Sequence, residues 1–299
     1  MKPKIGFIGL GAMGRGMALN ILKRGFPLRV FDIAKQAVQG LVDAGATAAA
    51  DLQDFAGYAE WIILSLPDTE VVKTVMWGEA GLMSKLAPGK IVIDCGTTHP
   101  LATMDFHKLL KEAGIDFMDA PVSGMEQRAW AGTLTTMAGG SRDIFEKVKP
   151  VLESFSKNVE YMGGPGCGQL AKVINNVFFN ISCAAVAELL PLAVKMGLDA
   201  EKMIEVAGSG TGQSFALNFF GPLILKRDFA QGYPMKKAYK DMSAIMEIMN
   251  ARQIPLPVTQ AALMTYQMAL NQGLGDEGKG AMVKVWEKMI NVVVGQSQE

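Results

Sequence analysis

Phe7-Ile8-Gly9-Leu10-Gly11-Ala12-Met13-Gly14 is the stretch whose reading decides the fold. The residues before it, from Lys4, make a short apolar run suited to a strand. From Met13 to Arg24 the apolar residues Met17, Ile21 and Leu22 fall at helical spacing until Gly25 stops the pattern. A GxGxxG pattern is weak on its own. Here it lies between a strand and a helix, and Asp32 closes the next predicted strand, Leu28 to Phe31. In that context Gly9 permits a tight turn, Gly11 lets the backbone approach a pyrophosphate, and Gly14 lets helix and strand come close. The helix start at Ala12 and Met13 supplies unpaired N–H groups for phosphate. Asp32 is placed to accept from the adenosine ribose hydroxyls, and its charge disfavours a 2′-phosphate, so the expected cofactor is NAD rather than NADP. Arg29, three residues earlier, should point to the other side of its strand and is not counted as a phosphate clamp.

Outward from this turn the α/β alternation continues. A helix is predicted over Lys35 to Ala44, a strand near Ala46 to Ala48, and a helix near Leu52. Trp61 to Pro67 reads as a buried strand whose carboxyl end, Leu66 and Pro67, would offer main chain and apolar surface to the cofactor. Ile91 to Asp94 is the next strand. Thr97 or Thr98 is a candidate cap for the helix beginning at Pro100, and Thr97 a candidate cofactor contact. Phe117 to Gly124, Gly132 to Gly140, a helix from Asp143 to Phe155 and a strand at Val159 to Tyr161 complete the half.

After Gly163 the pattern changes to helices separated by glycine and proline. They are predicted over Gln169 to Met196, Ala200 to Gly208, Ser214 to Phe220, Met235 to Asn250, Val258 to Asn271 and Ala281 to Val293, with Pro191 expected to kink the first or end it early. The fold class is therefore an α/β Rossmann doubly wound sheet over residues 1–163, followed by an all-α domain over residues 164–299 that begins with a long interdomain helix. In that helix Lys172 and Asn176 are four residues apart, with Gln169 and Asn175 three from Lys172. A lysine and amides sharing a helix face amid Leu, Val, Ile and Phe is an unusual composition for a packing surface.

Composition narrows the partners. The 29 basic and 29 acidic residues cancel, so nucleic acid and anionic membrane surfaces are not suggested, and no uninterrupted apolar run matches a membrane span. An anionic small molecule would need local positive groups. Cys95, Cys167 and Cys183 are odd in number without CxxC spacing, and His99 and His107 lack metal-ligand or triad spacing. Reduced packing thiols and no metal site are expected. The short, glycine-rich N-terminal apolar run does not read as a leader, and a cytoplasmic location is expected. Sparse polar patterning in the helical half points to packing against a second subunit as a homodimer or homotetramer.

Together these motifs resemble the β-hydroxyacid dehydrogenase family, which includes 3-hydroxyisobutyrate dehydrogenases. Phe7 to Gly14 followed by Met17-Ala18-Leu19-Asn20 resembles its N-terminal signature. Asp119 to Gly124 with Gly132 to Thr135 resembles its substrate loop, Gly163 to Asn176 its catalytic segment, Lys240-Asp241 a lysine-aspartate pair, and Leu274 to Asp276 a C-terminal element. The resemblance implies NAD-dependent interconversion of a small 3-hydroxy acid and its semialdehyde or keto form. It implies Lys172 as general acid/base with a lowered pKa, Ser123, Gly124 and Asn176 as substrate-binding residues, and Lys240 near the nicotinamide.

Three departures stand out. Met125 and Arg128 replace small residues in the substrate loop, Gly96 stands where the family commonly has serine, and Pro191 interrupts the long helix. Arg128 is either a surface residue or a partner for a second anionic group such as a carboxylate or sulfonate. Two other readings are an imine reductase of the same fold, which the retained Lys172 argues against, and a non-catalytic NAD-binding scaffold, which the retained substrate loop argues against.

Overall fold

The computed structural model describes residues 1–295 and divides into two compact units, Met1–Lys172 and the chain from Val173 onward. In the first unit one sheet is built from β1 (Ile5–Ile8), β2 (Leu28–Phe31), β3 (Thr47–Ala48), β4 (Trp61–Leu64), β5 (Ile91–Asp94), β6 (Asp116–Asp119), β7 (Val122–Ser123), β8 (Leu134–Gly140) and β9 (Ser156–Gly163). Its order is β3-β2-β1-β4-β5-β6-β8-β7, with β9 also on β8. The first six strands are parallel, in the order of a doubly wound dinucleotide fold, while β8 runs antiparallel to β6 and β7.

Side chains alternate along these strands, and both sheet faces are apolar, as parallel sheets require. Ile5, Phe7, Ile63, Ile93 and Met118 join a core that includes Met17 and Ile21 of α1 (Ala12–Lys23). Ile8, Ile62, Leu64, Val92 and Phe117 join a second core with Phe55 of α3 (Leu52–Tyr58). Between those helices lies α2 (Lys35–Val42); after β4 come α4 (Thr69–Trp77) and α5 (Pro100–Glu112). The residue pattern alone points to no helix at α4, although Asp68 caps it by accepting from Val71 N at 3.0 Å.

Two more helices belong to this unit, α6 (Met125–Ala131) and α7 (Arg142–Leu152). The stretch after Gly124, placed by the resemblance in a substrate loop, thus folds into a short helix. The cap of α5 also differs from expectation. His99 occupies the N-cap and its Nδ1 accepts from Leu101 N, whereas Thr98 Oγ1 donates to Asp94 Oδ2 at 2.6 Å.

α8 (Cys167–Lys195) runs through Pro191 without ending there. Only the last few residues follow the proline, so little helix remains beyond the lost N–H bond. By length and composition α8 is apolar enough to cross a membrane, yet 56% of that stretch is buried inside the protein itself.

The second unit holds the rest of α8 with α9 (Ala200–Ser209), α10 (Phe215–Leu225), α11 (Met235–Arg252), α12 (Pro257–Asn271) and α13 (Val283–Ile290), the last preceded by a 3₁₀ turn, Lys279–Met282. Its larger core gathers Ala187, Leu190, Phe220, Ile224, Tyr266 and Met282.

Candidate active site

The nucleotide-binding turn has the geometry its glycines imply. Gly9 has φ +94°, and a Cβ there would sit 2.3 Å from Ser65 O; a Cβ on Gly14 would sit 1.9 Å from Gly9 O. Neither position admits another residue without moving backbone. Gly11 is the N-cap of α1, so Ala12 and Met13 open the helix beside open space at Gly11. The Asp32 carboxylate accepts from Leu10 N at 2.6 Å and from Ala34 N at 2.7 Å, which fixes it beside the turn. Arg29 points away from it, to Asp54 at 2.5 Å and the Tyr58 ring. Leu66 is half-buried after β4. A Cβ on Gly96 would meet Leu66 O at 2.7 Å, which gives a steric reason for glycine there. Thr97 is half-buried in the turn after β5.

The first turn of α8, which leads into Lys172, is tied to the carboxyl ends of β5 and β6. Asp119, fully buried, accepts from Gly166 N at 3.0 Å and from Gln169 N at 2.9 Å, and its Oδ1 lies 2.8 Å from His107 Nε2. Gln169, also fully buried, accepts from Thr98 N at 3.0 Å and donates to Gly96 O at 2.9 Å. Glycine makes this approach possible, because a Cβ on Gly168 would lie 2.4 Å from Met137 O. Residue spacing places Gln169 on the Lys172 face but gives no task to Asp119 or His107. Lys172 itself is half-buried.

Beside this network the fully buried Asp94 has its carboxyl pushed up to about 6. Burial is the main cause; hydrogen bonds from Thr98 and Gly96 oppose it, and the nearby Asp119 charge adds to it. Since folding raises this pKa, the stabilisation is complete below the unfolded value of 3.8 and is lost as pH rises through about 6. Asp94→Asn should therefore gain on the wild type by about 2 kcal/mol between pH 4 and 7, read from urea unfolding of both proteins across that range. A flat difference would contradict this.

In the substrate loop Ser123 is half-buried on β7, paired with Thr135, and Gly124 has φ +140°. A Cβ on Gly124 would lie 2.8 Å from Arg128 Cδ, so the exposed Arg128 runs its aliphatic stem directly over this glycine. Met125 has φ +64°, a left-handed conformation at a position where the resembled family places glycine.

In the second unit Asn176 donates through Nδ2 to Asp241 Oδ2 at 2.9 Å, which sets Asn176 beside the Lys240-Asp241 pair of α11. Lys240 is exposed. Among the described residues no group of three His, Cys, Asp or Glu side chains is arranged to hold a metal ion.

A doubly wound sheet with a glycine turn after β1 and an acid after β2, followed by a helical unit, has the architecture of a dinucleotide-binding oxidoreductase. Residues 4–163 match the profile of the NAD binding domain of 6-phosphogluconate dehydrogenase. Residues 166–286 match the NAD-binding domain of NADP-dependent 3-hydroxyisobutyrate dehydrogenase. The chain is 40% identical over 296 residues to 2-(hydroxymethyl)glutarate dehydrogenase of Eubacterium barkeri, covering 99% of this chain and 98% of that protein. The solved 3-hydroxyisobutyrate dehydrogenase of Mycobacterium tuberculosis with L-serine is 29% identical, with TM-score 0.86 over 96% of this chain and 99% of that one. An imine reductase from a Pseudomonas species, 19% identical with TM-score 0.60 over 96% of this chain and 100% of that one, shares the fold alone. The chain belongs to the β-hydroxyacid dehydrogenase family. It is an NAD-dependent oxidoreductase acting on the CH–OH group of a small hydroxy acid, or on the corresponding carbonyl.

Proposed function

We propose that this enzyme interconverts a small 3-hydroxy acid bearing a second anionic group with its semialdehyde, using NAD and Lys172. The observation that carries the choice of substrate is the end-to-end similarity to 2-(hydroxymethyl)glutarate dehydrogenase, whose name specifies a dicarboxylate.

Bound NAD supplies the hydride acceptor. Gly9, Gly11, Ala12, Met13 and Gly14 would hold its pyrophosphate and Asp32 its adenosine ribose; Leu66, Pro67 and Thr97, and separately Lys240, are assigned to cofactor binding. Lys172 takes the hydroxyl proton at Nζ during oxidation and returns it during reduction. Ser123 and Gly124 receive the carboxylate beside the reacting carbon.

Asn176 is oriented by its hydrogen bond to Asp241: a carboxylate only accepts, so it engages one N–H of the amide NH₂. The second N–H is left to donate to a substrate oxygen, which leaves the hydroxyl proton to Lys172.

Assembly with further copies is part of the proposal. Ile174, Phe178, Leu189 and Leu192 are exposed at 41%, 70%, 59% and 49% along α8, an apolar stripe suited to a second copy of the chain. The free Cys95, Cys167 and Cys183 are compatible with the reducing cytoplasm.

Absorbance at the NADH band tests the reading with 3-hydroxyisobutyrate, 4-hydroxybutyrate, 2-(hydroxymethyl)glutarate and a sulfonated analogue, each with NAD and with NADP. A dianionic substrate with NAD is expected to give the highest kcat/KM, by about tenfold or more over the monoanions. Preference for NADP would overturn the assignment of Asp32, and preference for a monoanion that of the substrate.

A further inference from the structure

Lys279 lies in the 3₁₀ turn before α13 and is 4% exposed. Its Nζ donates to Asn180 Oδ1 at 2.6 Å and lies 4.0 Å from the centre of the Phe179 ring. Among the described residues Asn180 is its one hydrogen-bond partner, so an ammonium with three donors has a single neutral acceptor and a π face. The Cys183 thiol and Asp241, which accepts from Asn176, act on Lys279 electrostatically without hydrogen-bonding to it. Burial pulls the pKa of Lys279 down, and Cys183 and then Asp241 oppose that shift.

The amide beside it is equally incomplete. Asn180 is fully buried, and its Oδ1 also faces the Tyr266 hydroxyl at 3.2 Å. Two donors on that oxygen fix the amide orientation, so the other end is Nδ2, which is buried without a hydrogen-bond partner. An interior ammonium with donors to spare thus stands one amide width from an unused interior N–H₂. The group that completes both is one that only accepts, a carboxylate or a sulfonate.

The position on the helix suits a substrate. Asn180 follows Asn176 by four residues, on the same face of α8 and about 6 Å along its axis. That rise is comparable to the two- or three-carbon span between the reacting carbon and the far carboxylate of a small hydroxy diacid.

We propose that Lys279 and Asn180 form an anion subsite for the second carboxylate or sulfonate of the substrate, making Lys279, rather than the exposed Arg128, the residue that selects dianions. This rests on the dianionic reading above.

Thermal unfolding of the full-length protein with NAD, in glutarate or in butyrate at equal concentration, tests the subsite without turnover. Glutarate is expected to raise the Tm of the wild type more than butyrate, and Lys279→Met to abolish the difference. Equal shifts in the wild type, or a difference that survives in the variant, would overturn the proposal. Lys279→Gln replaces Lys279→Met if the latter fails to fold.

In turnover, Lys279→Met should lower the ratio of kcat/KM for 2-(hydroxymethyl)glutarate over 3-hydroxyisobutyrate by about tenfold or more. A selective loss in Arg128→Ala but not in Lys279→Met would assign the anion to Arg128 instead and overturn the subsite. If glutarate protection depends on Lys279 while the wild type oxidises none of the hydroxy acids, the subsite stands and the functional reading falls. Turnover of dianions without any dependence on Lys279 would leave the functional reading standing and remove the subsite.

Discussion

Lys172→Ala is expected to lower kcat by about 10²- to 10⁴-fold, the usual worth of a positioned acid–base group, while NADH binding stays near that of the wild type. The residues proposed to hold NAD lie elsewhere in the chain, on the turns after β1, β2, β4 and β5 and at Lys240 of α11. NADH fluorescence titration should therefore separate the chemical defect from a folding defect. Alanine removes the ammonium and its proton but keeps helix propensity, so α8 should persist. The loss should appear in both directions, since the same group gives in reduction the proton it takes in oxidation. Turnover undiminished in the variant would remove Lys172 from the mechanism.

Asp119→Ala should destabilise the protein by about 3 kcal/mol or more, measured by urea unfolding at neutral pH, because it strands buried donors rather than merely deleting a contact. Two main-chain N–H groups at the start of α8, from Gly166 and Gln169, lose their acceptor at once, and His107 Nε2 loses its own. Surviving protein should also lose turnover, because the turn that leads into Lys172 is anchored there. Asp119→Asn keeps one acceptor oxygen and should fall between the two. An alanine variant as stable and as active as the wild type would show that Gly168 packing alone holds the helix start.

What was legible in the sequence follows how local each feature is. The glycine turn, the acid after β2 and the first strands rest on spacings within a few residues, so they could be read directly, as could the switch to helices after Gly163. Asp119 could not. It sits inside a motif that suggests a substrate loop, and its partner Gln169 lies 50 residues on, a separation no periodicity encodes. α6 escapes such a reading because its seven residues, Met125 to Ala131, are too few for an apolar period to show, and the capping role falls to His99 because Thr98 is drawn to Asp94. Lys279, between Gly278 and Gly280, falls outside every predicted element, and the fold shows that it is interior.

The Asp32 carboxylate has consequences for anyone redesigning the cofactor preference. Both of its oxygens already hold main-chain N–H groups, one of them at Leu10 inside the glycine turn. Exchanging this acid to admit a phosphorylated ribose would remove a brace of the turn as well as a charge. A cofactor-switched variant should therefore need a replacement acceptor for Leu10 N before any arginine introduced nearby could show its worth.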